Sequence, residues 1–436
     1  MIFRGIIIIT LILFSLIGCK KNSDETGTQQ HKPNIIFILG DDVGYEIPTC
    51  DGGTSYSTPN IDKLASEGMR FTQCRSAPLC SPSRFMILTG KYNFRNYTTW
   101  GQMDIGQRTI GNLLKDAGYA TCYAGKWQLD GGDKSIKTFG FDNYSVWLPF
   151  YQCPEGIRYK SAPIYENGNF LPQSVTDNKY SEDHFTDYIL NFIDNNKSNA
   201  FFIYYSMILC HKEWSPTPDD AGYAAWQPIE GNNDKNYFPS MVKYMDKKIG
   251  IILDKIKSAG LEKNTIVFYV GDNGTQKEIT SGYLNDSITG AKSESIEYGI
   301  HVPLICKWPD VITPGKVNSD IVDFTDILPT MADIANISVS QKYKPVDGFS
   351  FYNALKDVNN DARSWSFCHY YPRMCGKYIG LERWAQDTAY KLYETGNFYH
   401  FTEDIMQEHP LSNASLTAQQ IQIKQSLQDV INSMHN

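Results

Sequence analysis

The stretch Asn34-Ile35-Ile36-Phe37-Ile38-Leu39, followed at once by Gly40-Asp41-Asp42, decides the architecture of this chain. A short, continuous apolar run without polar alternation is the pattern of a strand covered on both faces, as in a parallel sheet with helices on either side. Working outward, Thr58-Pro59-Asn60 opens a helix with proline in its first turn, and Gly68 closes it. Ala200 to Leu209 is a second buried-strand candidate. Met241, Met245, Ile249, Ile252, Leu253 and Ile256 recur at helical spacing before Gly260, so they mark the apolar face of one helix. Thr265 to Val270 then returns as a strand. Strand and helix alternating in this way predict an α/β fold with a largely parallel sheet. The alternation gives way near Asp347-Gly348 to a region rich in aromatic residues. A main domain over 33–350 and a smaller subdomain over 351–436 are therefore expected, the latter ending in an amphipathic helix from Leu416 to Met434.

The bulk numbers agree with one large domain and a smaller companion. The chain has 436 residues, 13% of them aromatic and 42% hydrophobic, beyond the length at which single cores stop growing. A net charge of −8 argues against a partner bound by phosphate neutralisation, so no nucleic acid is expected. If the substrate is anionic, positive charge must be concentrated at its site. Residues 1–19 have the form of an export signal: Arg4, an apolar run from Gly5 to Gly18 too short to span a bilayer comfortably, and then Leu16-Ile17-Gly18-Cys19. That tetrapeptide resembles a bacterial lipobox, in which Cys19 would be lipidated, with residues 20–32 as a flexible tether. The expected location is that of an exported lipoprotein anchored to a membrane, in the periplasm or at the cell surface. No C-x-x-C spacing occurs among the ten cysteines, which argues against a zinc cage. Cys368 and Cys375 are the closest pair in sequence, but pairing is not readable.

Open α/β sheets place their sites at the carboxyl ends of strands. Asp41-Asp42 comes directly after the first strand, and Asp272-Asn273 comes after Thr265 to Val270. Acidic clusters with an amide, all oxygen donors, suit a hard divalent cation such as Ca²⁺ better than zinc. A third cluster, Leu79-Cys80-Ser81-Pro82-Ser83-Arg84, precedes Leu88-Thr89-Gly90. Ser81 is expected to cap a helix whose first position is Pro82, turning the helix N-terminus toward Cys80. Arg84 adds a fork suited to tetrahedral oxyanions. An unmodified Cys80 in this place is expected to have a lowered pKa, which leaves a plain thiolate nucleophile as the chemical alternative.

Read as C-x-P-S-R…L-T-G, this string resembles the signature of the type I sulfatases, members of the alkaline phosphatase superfamily, in which the cysteine is oxidised to formylglycine. Gly118-Tyr119-Ala120-Thr121…Gly125-Lys126-Trp127 is similar to their second signature, G-Y-x-T…G-K-W-H. Val270 to Gly274, Gly290-Ala291-Lys292 with Glu297 to Pro303, and Phe201 to Tyr205 with Cys210-His211-Lys212 continue the resemblance in the family's order. Asp326 to Thr330 and Tyr390 to Tyr393 echo weaker landmarks. The resemblance implies a large mixed, mainly parallel sheet flanked by helices, with a smaller C-terminal α+β subdomain. It implies one Ca²⁺ held by Asp41, Asp42, Asp272, Asn273 and modified Cys80, whose hydrated aldehyde attacks sulfur. Arg84 would favour the ionised nucleophile, Lys126 and Lys292 would balance charge on the sulfate oxygens, and His211 would protonate the leaving oxygen. The partners it implies are a sulfate ester, most naturally of a carbohydrate, and a maturation enzyme that generates formylglycine.

Gln128 departs from the pattern, standing where the second signature ends in histidine. An amide can bind an oxygen of the diol or sulfate, but it cannot cycle a proton. Either His211 carries the proton work while Gln128 positions, or the protein is a catalytically impaired binder of sulfated glycans. A phospho-ester hydrolase on the same scaffold is the other alternative, though it would want a second metal and more histidine ligands. For the substrate pocket, the loop Tyr92 to Tyr97 with Trp100, and the aromatics Trp147, Phe150 and Tyr151, are candidate walls. His184 and His301 are expected to be structural.

Overall fold

In the computed structural model, the Asn34–Gly40 strand lies inside a ten-stranded sheet, paired in parallel with Phe201–Ser206 on one side and Thr265–Gly271 on the other. The structure describes residues 32–229, 233–358, 362–374 and 377–435. The lipobox Cys19, the leader, residues 20–31 of the tether and Cys375 lie outside the described residues. Across the sheet the strands run Lys316–Asp323, Met69–Arg75, Leu304–Lys307, Thr265–Gly271, Asn34–Gly40, Phe201–Ser206, Ala120–Lys126, Asn143–Trp147, Tyr165–Glu166 and Asn169–Phe170. Leu304–Lys307 is antiparallel to both its neighbours, and the two short edge strands are also antiparallel. The sheet is therefore mixed and mainly parallel, as expected.

The first strand shows why an unbroken apolar run is required. Ile35, Phe37 and Leu39 enter one core, while Ile36 and Ile38 enter the other, and all five are fully buried. Alternate side chains point to opposite faces of a strand, so two covered faces leave no position for a polar residue. Each such side chain contributes roughly 1.5–3 kcal/mol of transfer free energy. Phe37, Tyr204 and Tyr123 continue across three neighbouring strands, with ring centroids 5.2 and 4.9 Å apart. On the second face the helix Phe238–Ser258 buries Met241, Met245, Ile249, Ile252 and Ile256 of the stripe read from the sequence, while Leu253 is half-buried. The helix Pro59–Ser66 carries proline at its start, as its sequence requires.

Residues 32–436 form one compact unit. Within it a second, antiparallel sheet runs Ser366–Tyr370, Glu382–Gln386, Tyr390–Tyr393, Phe398–His400. The terminal helix spans Ala418–Ser433, opened by a reciprocal capping box between Thr417 and Gln420, and it buries Leu427, Val430 and Ile431.

Candidate active site

The pairing register builds the centre of the site. Gly40 sits opposite Gly271, so Asp41 and Asp42 emerge beside Asp272 and Asn273 at the carboxyl ends of two adjacent parallel strands. All four side chains are fully buried. The Asp42 amide donates to Asp272 Oδ1 at 3.0 Å, Asn273 Nδ2 donates to Asp42 Oδ1 at 2.9 Å, and Gln276 Nε2 donates to Asp42 Oδ2 at 2.8 Å. Gly274, next in the chain, has no room for a side chain: a Cβ there would lie 2.0 Å from the Tyr298 carbonyl oxygen.

Three cations face these three carboxylates. Lys126 Nζ lies 2.7 Å from Asp41 Oδ2, Arg84 Nη2 lies 2.9 Å from Asp272 Oδ2 and 3.6 Å from Asp41 Oδ1, and Lys292 pairs with Asp42. Lys126 ends its strand, and Gly125 before it allows the close approach of the neighbouring strand. A Cβ at Gly125 would meet the Ser206 carbonyl oxygen at 1.9 Å, and its φ of 97° also suits glycine. Arg84 is buried; its Nη1 bonds Ser206 Oγ and its Nη2 meets the carboxylates, so both terminal nitrogens of the fork are occupied and only Nε lacks a hydrogen-bond partner. The expectation that it faces a tetrahedral oxyanion is corrected accordingly.

Cys80 is the first residue of a buried helix, Cys80–Thr89, with Leu79 as its N-cap. Ser81 therefore lies inside the first turn and does not cap the helix as expected; its hydroxyl sits 3.5 Å from Gln128 Oε1. A second expectation is also overturned. Burial pushes the Cys80 thiol above its ordinary pKa, and the opposing charges of Lys126 and Lys292 do not offset it. An unmodified thiol here is a poor thiolate.

The donor set fits a cation. Single ligand atoms of Asp41, Cys80 and Asp272 lie within 4.8 Å of one another, and so do those of Asp41, Asp42 and His211. Asp41 Oδ1 and Asn273 Oδ1 are buried acceptors without a hydrogen-bond donor. Burial, with Asp41 nearby, pushes the Asp272 carboxyl up to about 7, while Lys126, Arg84 and Lys292 overcome burial at Asp41 and hold it below its ordinary value. A buried carboxylate pushed toward protonation, as Asp272 is, is the kind of group that a divalent ion relieves. With three carboxylates balanced by three cations, that ion would leave the site net positive and attractive to an anionic ester.

A cavity of about 550 Å³ opens over Cys80. Gln128, His211 and Lys292 line it, as do Trp100, Tyr151, Glu155, Lys212, Lys277 and Lys377. Of the proposed aromatic walls only Trp100 and Tyr151 reach it. Tyr92 is buried against Asp323 and Arg363, Trp147 is buried beneath the Arg158 guanidinium, and Phe150 packs near Tyr165 and Phe170. His211 Nε2 lies 3.8 Å from Asp42, and Nδ1 is 3.0 Å from the Lys212 carbonyl oxygen. Burial, then the charges of Arg158, Lys292 and Lys126, hold this imidazole well below its usual pKa. His301 stacks on Tyr45 and faces the Thr72 carbonyl, outside the cavity lining. Sequence reasoning missed Gln276, Ser206, Glu155 and Arg158. Gln276 follows Asn273 by three residues, which is a usable signal; Glu155 lies in an irregular segment that offers none.

The model of the sulfatase family matches residues 33–337, and the model of the N-sulphoglucosamine sulphohydrolase C-terminal region matches residues 292–436. The chain belongs to the sulfatase family. It is 29% identical over 371 residues to an arylsulfatase of Hemicentrotus pulcherrimus, covering 79% of this chain and 64% of that protein. It is 30% identical over 339 residues to the N-acetylgalactosamine-6-sulfatase of Mus musculus, covering 70% of this chain and 63% of that one. The sulfatase chain thus spans a little under two thirds of these relatives' lengths. A solved structure of BT4656 in complex with its substrate D-glucosamine-2-N,6-O-disulfate shares the fold, with a TM-score of 0.73 at 22% identity, covering 92% of this chain and 97% of that one.

Proposed function

We propose that the protein is an exported sulfatase that hydrolyses sulfate esters of carbohydrates, with Cys80 matured to formylglycine and one Ca²⁺ held by Asp41, Asp42, Asp272 and Asn273. The observation that carries this reading is the buried meeting of three carboxylates and three cations around Cys80, which with Lys292 lines one cavity. The names of the mouse relative and of the glucosamine disulfate complex support the carbohydrate class. The lipobox-like Leu16 to Cys19 supports export and lipid anchoring, and the Cys80 signature supports a maturation enzyme as partner.

When present, formylglycine and the cation supply a diol nucleophile and a Lewis acid that favours its ionised form. The chain's own residues supply the rest. Arg84 holds Asp41 and Asp272 together at the metal position. Lys292 lines the cavity and Lys126 is buried against Asp41 close enough to act on Cys80, so both would balance charge on the sulfate oxygens. At the rim Lys377 adds positive charge, while Lys212 and Lys277 are paired with Glu278 and Glu294. His211 is the proton donor to the leaving oxygen. Its Nδ1–H donates to the Lys212 carbonyl, which leaves Nε2 as the atom that gains and gives the proton. The incoming anionic ester favours the charged ring that burial disfavours. Gln128 cannot share that work.

Sulfate release from an aryl sulfate and from sulfated sugars, assayed beside phosphate esters, tests the reading after mass mapping of residue 80. Sulfate release alone is expected. Preference for phosphate esters would overturn it, and no turnover by fully matured protein would make the protein a glycan binder.

A further inference from the structure

Gln128 breaks the G-K-W-H pattern, and its surroundings give the amide a direction. The residue has a left-handed backbone (φ 55°) and is buried. Its Nε2 donates to Glu155 Oε1 at 2.5 Å, while its Oε1 lies 3.5 Å from Cys80 Sγ. The two ends of an amide are told apart by their partners. Here the partner is an anion. Burial opposes ionisation of Glu155, but Arg158, Lys126, the Gln128 N–H and Lys292 outweigh it and hold its carboxyl below the ordinary value. Arg158 Nη2 grips Glu155 Oε2 at 3.2 Å, and Arg158 is itself fixed by Glu213 at 3.3 Å and by the face of Trp147. A carboxylate only accepts, so the NH₂ group of Gln128 faces Glu155 and its carbonyl oxygen faces position 80.

We propose that Glu155 is a positioning residue that locks the Gln128 amide, presenting its carbonyl as a fixed hydrogen-bond acceptor to a hydroxyl on residue 80. This rests on the maturation of Cys80 proposed above. An imidazole in this place can both donate and accept; the locked amide only accepts. It therefore favours the hydrated form of residue 80, which carries hydroxyl donors, over the free aldehyde, which carries none. No proton passes through it.

The test compares wild type, Glu155→Gln, Gln128→Ala and the double variant, each with conversion of residue 80 measured by peptide mass mapping. Two quantities are read: the rate at which an aminooxy probe traps aldehyde at residue 80, and kcat and KM for an aryl sulfate. Glu155→Gln is nearly isosteric, so access of the probe is preserved, and with Arg158 claiming the one remaining side-chain oxygen the Gln128 N–H loses its acceptor. Trapping is expected to rise about three- to tenfold in both single variants, the double variant matching Gln128→Ala, with kcat down about tenfold and KM within about twofold of wild type. Trapping in Glu155→Gln equal to wild type, or effects that multiply in the double variant, would overturn the proposal. Should Glu155→Gln fail to fold, Glu155→Asp keeps the charge beside Arg158 while withdrawing the carboxylate from the amide, and it carries the same expectation and the same refutation. Matured wild type that traps the probe but releases no sulfate would instead overturn the proposed function, and the trapping comparison would still decide this one.

Discussion

The two sides of the cavity are built differently. On one side, Asp41, Asp42, Asp272, Asn273 and Lys126 sit at or just past the ends of paired strands, and Cys80 and Arg84 sit on a buried helix. On the other, Trp100, Tyr151, Glu155, Lys212 and Lys277 come from irregular segments far apart in the chain. Strand ends fix side chains through a hydrogen-bonded ladder, so the first side holds groups that must meet a small ion within tenths of an ångström. Loops tolerate substitution and would shape the wall that meets the proposed sugar. On the proposed function, chemistry would belong to the first side and choice of substrate to the second.

Breaking the strand-end side should cost most. On the proposed function Cys80→Ala removes the side chain that maturation would convert, and sulfate release should fall by at least about a thousandfold while the melting temperature holds. Activity above that level, measured on protein free of wild type, would remove Cys80 from the mechanism. Asp272→Asn keeps the shape of a ligand but removes its charge and leaves Arg84 without its 2.9 Å ion-pair partner. A loss of about 10- to 100-fold is expected, with weaker retention of Ca²⁺ on dialysis. Unchanged metal content by atomic emission would contradict the assignment of the cation.

The loop side should respond in KM. Trp100→Ala removes a partly apolar wall without touching Cys80 or the carboxylates. KM for a sulfated oligosaccharide is expected to rise about three- to tenfold, while kcat for a small aryl sulfate stays within about twofold. Equal losses on both substrates would mean that Trp100 supports the fold of the site and does not choose the sugar.

Legibility in the sequence divides along the same line. The parallel strands are readable because burial on both faces forbids polar residues within Ile35 to Leu39, and an abrupt acidic pair marks where such a strand stops. Asp41-Asp42 and Asp272-Asn273 are therefore found together with their strands. The helix at Cys80 reads two residues late because Ser81 and Pro82 fit an N-cap and first turn, whereas the buried backbone of Leu79 takes the capping place. The raised thiol pKa is hidden because a helix start and basic neighbours show in the sequence, while complete burial does not. Glu155 cannot be found this way: a glutamate in an irregular stretch gains meaning only when tertiary packing brings Gln128 and Arg158 to it.

The smallest effect tests how the loop side is held from behind. Residues 293–297, just after Lys292, are gripped by the small C-terminal sheet: Tyr370 Oη donates to the Ser293 carbonyl at 3.3 Å, Gln386 Nε2 to Glu297 at 2.8 Å, Tyr393 Oη lies 2.9 Å from Ser295 Oγ, and Lys391 donates to the Ser295 carbonyl. Lys391 is fully buried over Trp384, and burial pulls its pKa down to about 7 despite the opposing charge of Glu297. In the unfolded chain this lysine titrates near its ordinary value of 10.5. Between those two values the unfolded state binds more protons than the folded state, so stability rises with pH from about 7 toward about 10 and is flat below 7 with respect to this group. Lys391→Met removes that dependence and a buried charge at once, exchanging them for one lost hydrogen bond to Ser295. At pH 7 its stability should lie within about 1–2 kcal/mol of wild type. The wild-type minus variant difference in unfolding free energy should climb as pH rises from 7 to 10. A difference that stays level over that range would show that Lys391 keeps its proton in the folded protein, with the aromatic face of Trp384 and the Ser295 carbonyl sufficient to hold the charge.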